Sequence, residues 1–175
     1  AYVTMPFGLC NAGSTFQRLM DLVMTGLVFE ICLVYLDDTI VFSKTIEEHL
    51  GRLEIVLGRL RSCGLKLKPK KCHLLQTSVS FLGHVVSAAG IQTDPKKIEH
   101  VAEWPEPRNL KELRSFLGLT SYYRRFVEGY ANIASPLTDL MKKNSPFTWS
   151  VKCQEAIVKL KTALVTPPIL AMPDD

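Results

Sequence analysis

Nowhere does this 175-residue chain approach the ~20 consecutive apolar residues that a membrane helix needs. Nor does a positively charged segment, a short apolar run and a cleavage site open it, so nothing in it reads as a secretory leader. These absences predict a cytoplasmic or nuclear protein, not secreted, with no membrane partner. Cysteine is also sparse: Cys10, Cys32, Cys63, Cys72 and Cys153 are odd in number and show no paired C-x-x-C spacing. That argues against a disulfide framework and against a zinc site, and leaves reduced packing residues. Cys72 with His73 is half a metal site without a second pair, and reads as structural. What the chain does have, at 47% hydrophobic and 22% charged residues, is enough apolar material for a real core.

Acidic residues are scarce where basic ones concentrate. Residues 61–125 carry 12 Lys/Arg against 5 Asp/Glu, whereas residues 1–60 carry 4 against 7 and residues 126–175 carry 5 against 5. The positive excess is therefore confined to the middle. Such a stretch suits the backbone of a polyanion, and equally the solvated face of an ordinary domain.

The densest chemical signal is Tyr35-Leu36-Asp37-Asp38. It lies between two short runs rich in β-branched or aromatic residues, Ile31–Val34 and Thr39–Phe42, which read as the strands of a hairpin with the acids at its tight connection. Adjacent carboxylates repel and raise one another's proton affinity unless a cation lies between them. Mg²⁺ prefers one or two carboxylates plus substrate phosphates, so an exposed pair suits phosphoryl chemistry. Plain turn chemistry also accounts for the dipeptide taken alone.

Its surroundings separate the two. Upstream lies Met5-Pro6-Phe7-Gly8-Leu9-Cys10-Asn11-Ala12-Gly13-Ser14-Thr15-Phe16-Gln17. Downstream lie Gly64–Cys72, Phe81-Leu82-Gly83-His84-Val85-Val86, Trp104-Pro105, Leu113–Leu119, Tyr122-Tyr123-Arg124-Arg125-Phe126, Pro136-Leu137-Thr138 and Pro168-Ile169-Leu170. In this order and spacing the chain resembles, over essentially its whole length, the reverse transcriptase of gypsy-type long-terminal-repeat retrotransposons.

The resemblance implies an α+β fold. Residues 1–88 would be the C-terminal part of a polymerase palm, a small antiparallel sheet with two helices. Residues 89–145 would be a mostly helical thumb and connection, and residues 146–175 the start of a ribonuclease H-like domain. It implies an RNA-directed DNA polymerase using two Mg²⁺ ions, with Mn²⁺ as a substitute. The partners would be an RNA or DNA template with primer, deoxynucleoside triphosphates and the remainder of a Pol polyprotein that also has ribonuclease H activity.

By the same resemblance, Asp37 and Asp38 would be the metal ligands and catalytic carboxylates, and Lys70 would protonate pyrophosphate or bind nucleotide phosphate. Pro6, Phe7 and Gly8 would lie beneath the templating base and incoming nucleotide, Gln17 would contact template, and Tyr35 would pack near the primer end. Phe81, Leu82, Gly83 and His84 would form the primer grip; Lys71, Arg114, Arg124 and Arg125 would contact phosphates, which positions a duplex without reading its sequence. Gly13 stands where the family usually has proline, loosening the helix start by about 0.5–1 kcal/mol. The family also needs a third carboxylate on an earlier strand, together with the fingers, so these 175 residues alone are expected not to polymerise, and to lack ribonuclease H activity.

Pattern alone gives a coarse architecture. Asn11 starts a helix with Phe16, Leu19, Met20, Val23 and Leu27 along one side. Thr45 with Glu48 forms a capping box for a helix whose stripe Ile46, Leu50, Leu53, Leu57 and Leu60 reads as core, ending at Gly64. Lys66 to Ser87 alternates as short strands. Asp94-Pro95, Asn109 with Glu112, and Ser135-Pro136 start further helices. A last one carries Ala156, Ile157, Leu160 and Leu164 on one face, followed by a strand over Ile169–Met172. Phe116, Leu117, Tyr122, Tyr123 and Phe126 read as core. Two other functional classes stay open at this point: a non-catalytic nucleic-acid-binding or interaction remnant of a decayed element, and a nuclease with a similar acidic hairpin.

Overall fold

Asn11 precedes α1 (Ala12–Val23) but its side chain does not cap it; its carbonyl accepts the first helical bond, from the Thr15 N–H at 2.9 Å, and a bond from Ser14 Oγ at 3.0 Å. The computed structural model describes residues 5, 6, 8–143 and 145–171. The chain forms two compact units, Ala1–Gln76 and Thr77–Asp175.

In the first unit, β1 (Cys32–Tyr35) and β2 (Asp38–Val41) pair antiparallel, Cys32 opposite Val41 and Tyr35 opposite Asp38. α2 (Ile46–Ser62) follows. Thr45 Oγ1 accepts from the Glu48 N–H at 3.2 Å, while Glu48 Oε2 reaches one residue further back than a standard capping box, to the Lys44 N–H at 2.9 Å. The helix ends in a Schellman turn, the Leu65 N–H on Leu60 O and the Gly64 N–H on Arg61 O, both at 3.0 Å. Met20, Val23, Met24, Cys32, Val56 and Leu60 form the core, and burial pushes the Cys32 thiol pKa up.

The expected α2 core stripe is only partly correct. Leu60 is buried and Leu53 half-buried, but Ile46, Leu50 and Leu57 are exposed and Val56 is buried in their place. The helix is rotated toward its arginines. Arg59 Nη1 donates to Val23 O at 3.1 Å and Arg52 Nη1 to Phe42 O at 2.5 Å, which satisfies carbonyls that hydrophobic periodicity does not register.

In the second unit, β3 (Ser78–Phe81), β4 (His84–Ser87) and β5 (Gly90–Thr93) form an antiparallel meander. The helices are α3 (Pro95–Ala102), α4 (Leu110–Tyr122), α5 (Tyr130–Asp139) and α6 (Val151–Val165), with α6 packed on α3 and α5. Asp94 caps α3 through the Lys96 N–H at 3.0 Å, and Asn109 caps α4 through the Glu112 N–H at 3.0 Å. Each such cap is worth about 1 kcal/mol. Leu113, Phe116, Tyr123, Leu137, Leu160 and Leu164 are fully buried at the centre of the core.

Three expected elements differ. Residues 66–77 hold a 3-10 turn at Pro69–Lys71 and no strand, since Pro69 has no N–H for a ladder. α5 starts at Tyr130 after left-handed Gly129, so Pro136 lies inside the helix rather than at its start. Instead of a strand over Ile169–Met172, Leu170 makes a single antiparallel bridge to Ile91; Met172 lies outside the described residues. The whole is a mixed helix and strand fold, with small antiparallel sheets and six helices among the described residues. Among them no helix is long and apolar enough to cross a membrane.

Candidate active site

The β1–β2 hairpin is closed by a two-residue connection, Leu36-Asp37. Such a tight turn needs positive φ at its first position, where glycine is preferred, and Leu36 sits there at φ +53°. The strained residue is held from α1: Gln17 Oε1 accepts from the Leu36 N–H at 2.5 Å, and Gln17 Nε2 donates to Asp21 Oδ1 at 2.7 Å. Gln17 is thus brought to the acidic turn, with its amide engaged there.

Asp37 and Asp38 are both exposed, and among the described residues neither carboxylate has a hydrogen bond or ion pair. Nor does any group of three or more His, Cys, Asp or Glu gather there or elsewhere among those residues as a ready metal cage. Two adjacent hard oxygen donors free of protein partners fit a magnesium-like ion that takes its remaining ligands from phosphates and water, and do not fit zinc. Tyr35, opposite Asp38 in the ladder, is 53% exposed.

Pro6 is half-buried and Gly8 is exposed at φ +89°; Phe7 lies outside the described residues. Lys70 and Lys71 stand exposed on the Pro69–Lys71 turn, without side-chain partners among the described residues.

In the second unit the β3–β4 connection is again two residues, Leu82-Gly83, between the paired Phe81 and His84. Both turn residues have positive φ, +48° and +72°, the pattern of a type I′ hairpin, with leucine again at a position that favours glycine. Tyr123 Oη donates to Gly83 O at 2.8 Å, and Tyr122 Oη donates to Leu82 O. His84 Nδ1 lies 3.0 Å from Leu82 O and must be the donor there, the carbonyl having no proton to give. Its ring packs against Tyr122, Tyr123 and Phe126 at centroid distances of 5.2, 5.5 and 5.7 Å. A Cβ at Gly83 would meet Lys97 Nζ at 3.0 Å, a contact the flexible lysine can relieve, so the positive φ rather than space is what favours glycine here.

Arg114 on α4, and Arg124 and Arg125 on the following 3-10 turn, are exposed with no side-chain partners among the described residues. Tyr122, expected in the core with Phe116, Leu117, Tyr123 and Phe126, is instead 49% exposed at the end of α4. Local sequence pattern places neither tyrosine at the turn, nor Lys97, whose Nζ lies 5.9 Å from the Tyr122 ring centroid. The available signal was that two adjacent tyrosines on a helix cannot both face one core, and that buried tyrosine hydroxyls need partners.

Residues 1–86 match the family model described as reverse transcriptase (RNA-dependent DNA polymerase). Over 174 residues, 99% of this chain, the sequence is 44% identical to the Retrovirus-related Pol polyprotein from transposon 297 of Drosophila melanogaster. It is 41% identical over 141 residues, 81% of this chain, to the corresponding polyprotein from transposon gypsy of the same organism. This chain belongs to the reverse transcriptases of gypsy-type retrotransposon Pol polyproteins. It spans 16% and 14% of the length of those two polyproteins. The fold agrees: a foamy viral protease-reverse transcriptase solved in complex with double-stranded DNA matches with a TM-score of 0.89 at 27% identity, covering 99% of this chain and 31% of that one. A second structure of that protein, with RNA/DNA hybrid, matches at 0.82 and 27% identity, over 97% of this chain and 23% of that one.

Proposed function

We propose that this segment carries the catalytic carboxylates and primer hold of an RNA-directed DNA polymerase, acting within a Pol polyprotein on a primed RNA or DNA template with deoxynucleoside triphosphates. The observation that carries the reading is the exposed Asp37-Asp38 pair, without partners among the described residues, on a hairpin apex fixed by Gln17. The reaction joins the primer 3′-oxygen to the α-phosphorus of the nucleotide and releases pyrophosphate.

Asp37 and Asp38 would hold Mg²⁺, or Mn²⁺ in its place. The metal, when bound, supplies activation of the 3′-hydroxyl and charge neutralisation at the leaving group. The chain's own contributions are positional and electrostatic. Gly8, without a Cβ, lets backbone approach the templating pair beside Pro6 and Phe7. Lys70 offers an ammonium to the departing pyrophosphate, and Tyr35 packs by the primer end. The Phe81–His84 turn grips the primer, while Lys71, Arg114, Arg124 and Arg125 bind backbone phosphates. By the division proposed, palm residues run to 88, thumb and connection to 145, and a ribonuclease H-like domain starts after that, in a protein of the cytoplasm or nucleus. That the solved relatives hold double-stranded DNA and RNA/DNA hybrid supports the choice of partner.

The test is Mg²⁺-dependent DNA synthesis on a primed RNA template by the polymerase-length Pol protein containing this segment. Synthesis that vanishes with Asp37→Asn supports the reading. A folded wild type that binds primed template and incorporates nothing replaces it with a binding-only role.

A further inference from the structure

The Leu82-Gly83 turn is strained, and its local sequence supplies one tether, from His84. Leucine in the left-handed region, at φ +48°, is disfavoured and persists only where surrounding structure over-determines it. The determinants are His84 beside the turn and the two tyrosines at the far end of α4. Tyr122 Oη and His84 Nδ1 both donate to Leu82 O, using both lone pairs of that carbonyl, and Tyr123 Oη donates to Gly83 O at 2.8 Å. Tyr123 is fully buried, stacked edge-on with Tyr122 at 4.9 Å and packed against Phe126 at 6.2 Å, so its hydroxyl has a fixed place from which to donate.

The consequence lies on the opposite side of the peptide. Every described peptide bond is trans, so the Gly83 N–H points away from the Leu82 carbonyl that Tyr122 holds. Among the described residues no protein acceptor takes that N–H. A backbone donor with a set direction, free of protein partners, is suited to a phosphodiester oxygen.

We infer that Tyr122 and Tyr123 are positioning residues, whose hydroxyls lock the Leu82-Gly83 turn so that its backbone N–H edge is presented to a primer phosphate. This rests on the polymerase reading above, and adds to it the device that keeps the turn in register. Neither hydroxyl touches the reacting atoms.

The experiment uses the polymerase-length Pol protein and a primed template, varying primer–template and nucleotide separately, for wild type, Tyr123→Phe, Tyr122→Phe and each Phe variant combined with Leu82→Gly. Losing one such hydrogen bond should raise the KM for primer–template roughly five- to tenfold while leaving the nucleotide KM within about twofold. Leu82→Gly, which takes positive φ without strain, should restore much of the lost primer affinity. A merely structural role would lower the melting temperature and the amount of active enzyme, moving neither KM and gaining nothing from Leu82→Gly. Tyr122 is half exposed, so Tyr122→Phe keeps the test valid should the buried variant fold poorly. Active wild type with both Phe variants unchanged in primer–template KM overturns the lock alone. Wild type that incorporates no nucleotide overturns the polymerase reading, and the lock with it.

Discussion

Gln17 and Leu36 are joined across nineteen positions of sequence by a 2.5 Å hydrogen bond from the Leu36 N–H to the Gln17 side-chain oxygen. It ties α1 to the strained first position of the acidic turn, so the carboxylates next in sequence inherit their placement from a helix. Gln17→Leu keeps much of the side-chain volume and removes the acceptor. It should cut nucleotide incorporation by about tenfold, the equivalent of roughly 1.4 kcal/mol, with folding retained by circular dichroism. Undiminished incorporation would show that the hairpin holds its turn unaided.

Arg59 does for α1's C-terminal end what a capping residue does elsewhere. Its Nη1 donates to Val23 O at 3.1 Å and to Thr25 O at 3.4 Å. Arg59→Met retains most of the aliphatic stem and leaves those carbonyls unserved, which should cost about 1.5–3 kcal/mol in urea unfolding. Arg59→Lys should recover only part, because an ammonium cannot reproduce the planar fork.

Gly13 lies in the first turn of α1, and a Cβ there would meet only Leu36 Cδ2 at an ordinary 3.7 Å. Gly13→Ala should therefore stabilise the chain by about 0.5–1 kcal/mol, through helix propensity and a less flexible unfolded state, read as a higher denaturant midpoint. A lower midpoint would mean that the glycine serves a close approach this structure does not contain.

The unequal legibility of the sequence has a physical basis in these same residues. Helix starts marked by a polar side chain three positions before a glutamate, Thr45 with Glu48 and Asn109 with Glu112, appear where pattern placed them, because the signal and the bond are both local. The last helix face, Ala156, Ile157, Leu160 and Leu164, is buried as its periodicity requires. α2 is different: its rotation is set by Arg52 and Arg59 finding carbonyls 10 and 36 residues away, information that apolar spacing does not carry. The acidic hairpin was readable as a motif. The grip turn was readable as a segment, but its anchoring by tyrosines 40 residues later was not, since hydroxyl partners across that distance leave no local trace.

Arg124 and Arg125 are free of protein partners among the described residues and stand at the end of α4. If each neutralises one phosphate, replacing both with Gln should weaken primer–template binding uniformly across sequences and reduce the slope of log K against log salt by about 2. Fluorescence anisotropy over a salt series measures it. An unchanged slope would place these guanidiniums off the nucleic acid.

Tyr123 also makes an alkaline prediction. Burial first, then the nearby Asp94 carboxylate and Tyr122, push its phenol from the ordinary 10.0 up to about 12. An acid whose folded pKa is raised binds its proton more tightly when folded, so its stabilising contribution is complete below pH 10 and disappears as pH rises toward 12. Unfolding midpoints should fall across that window, and Tyr123→Phe, which has no proton to lose, should flatten part of the fall; Tyr130, also raised by burial, accounts for some of what remains. Tyrosinate absorbance should show one fewer late-titrating phenol in the variant than in the wild type. If Tyr123→Phe loses no late phenol relative to the wild type, the buried donor that holds Gly83 is not a group that resists ionisation, and the lock would open at the ordinary tyrosine pKa instead.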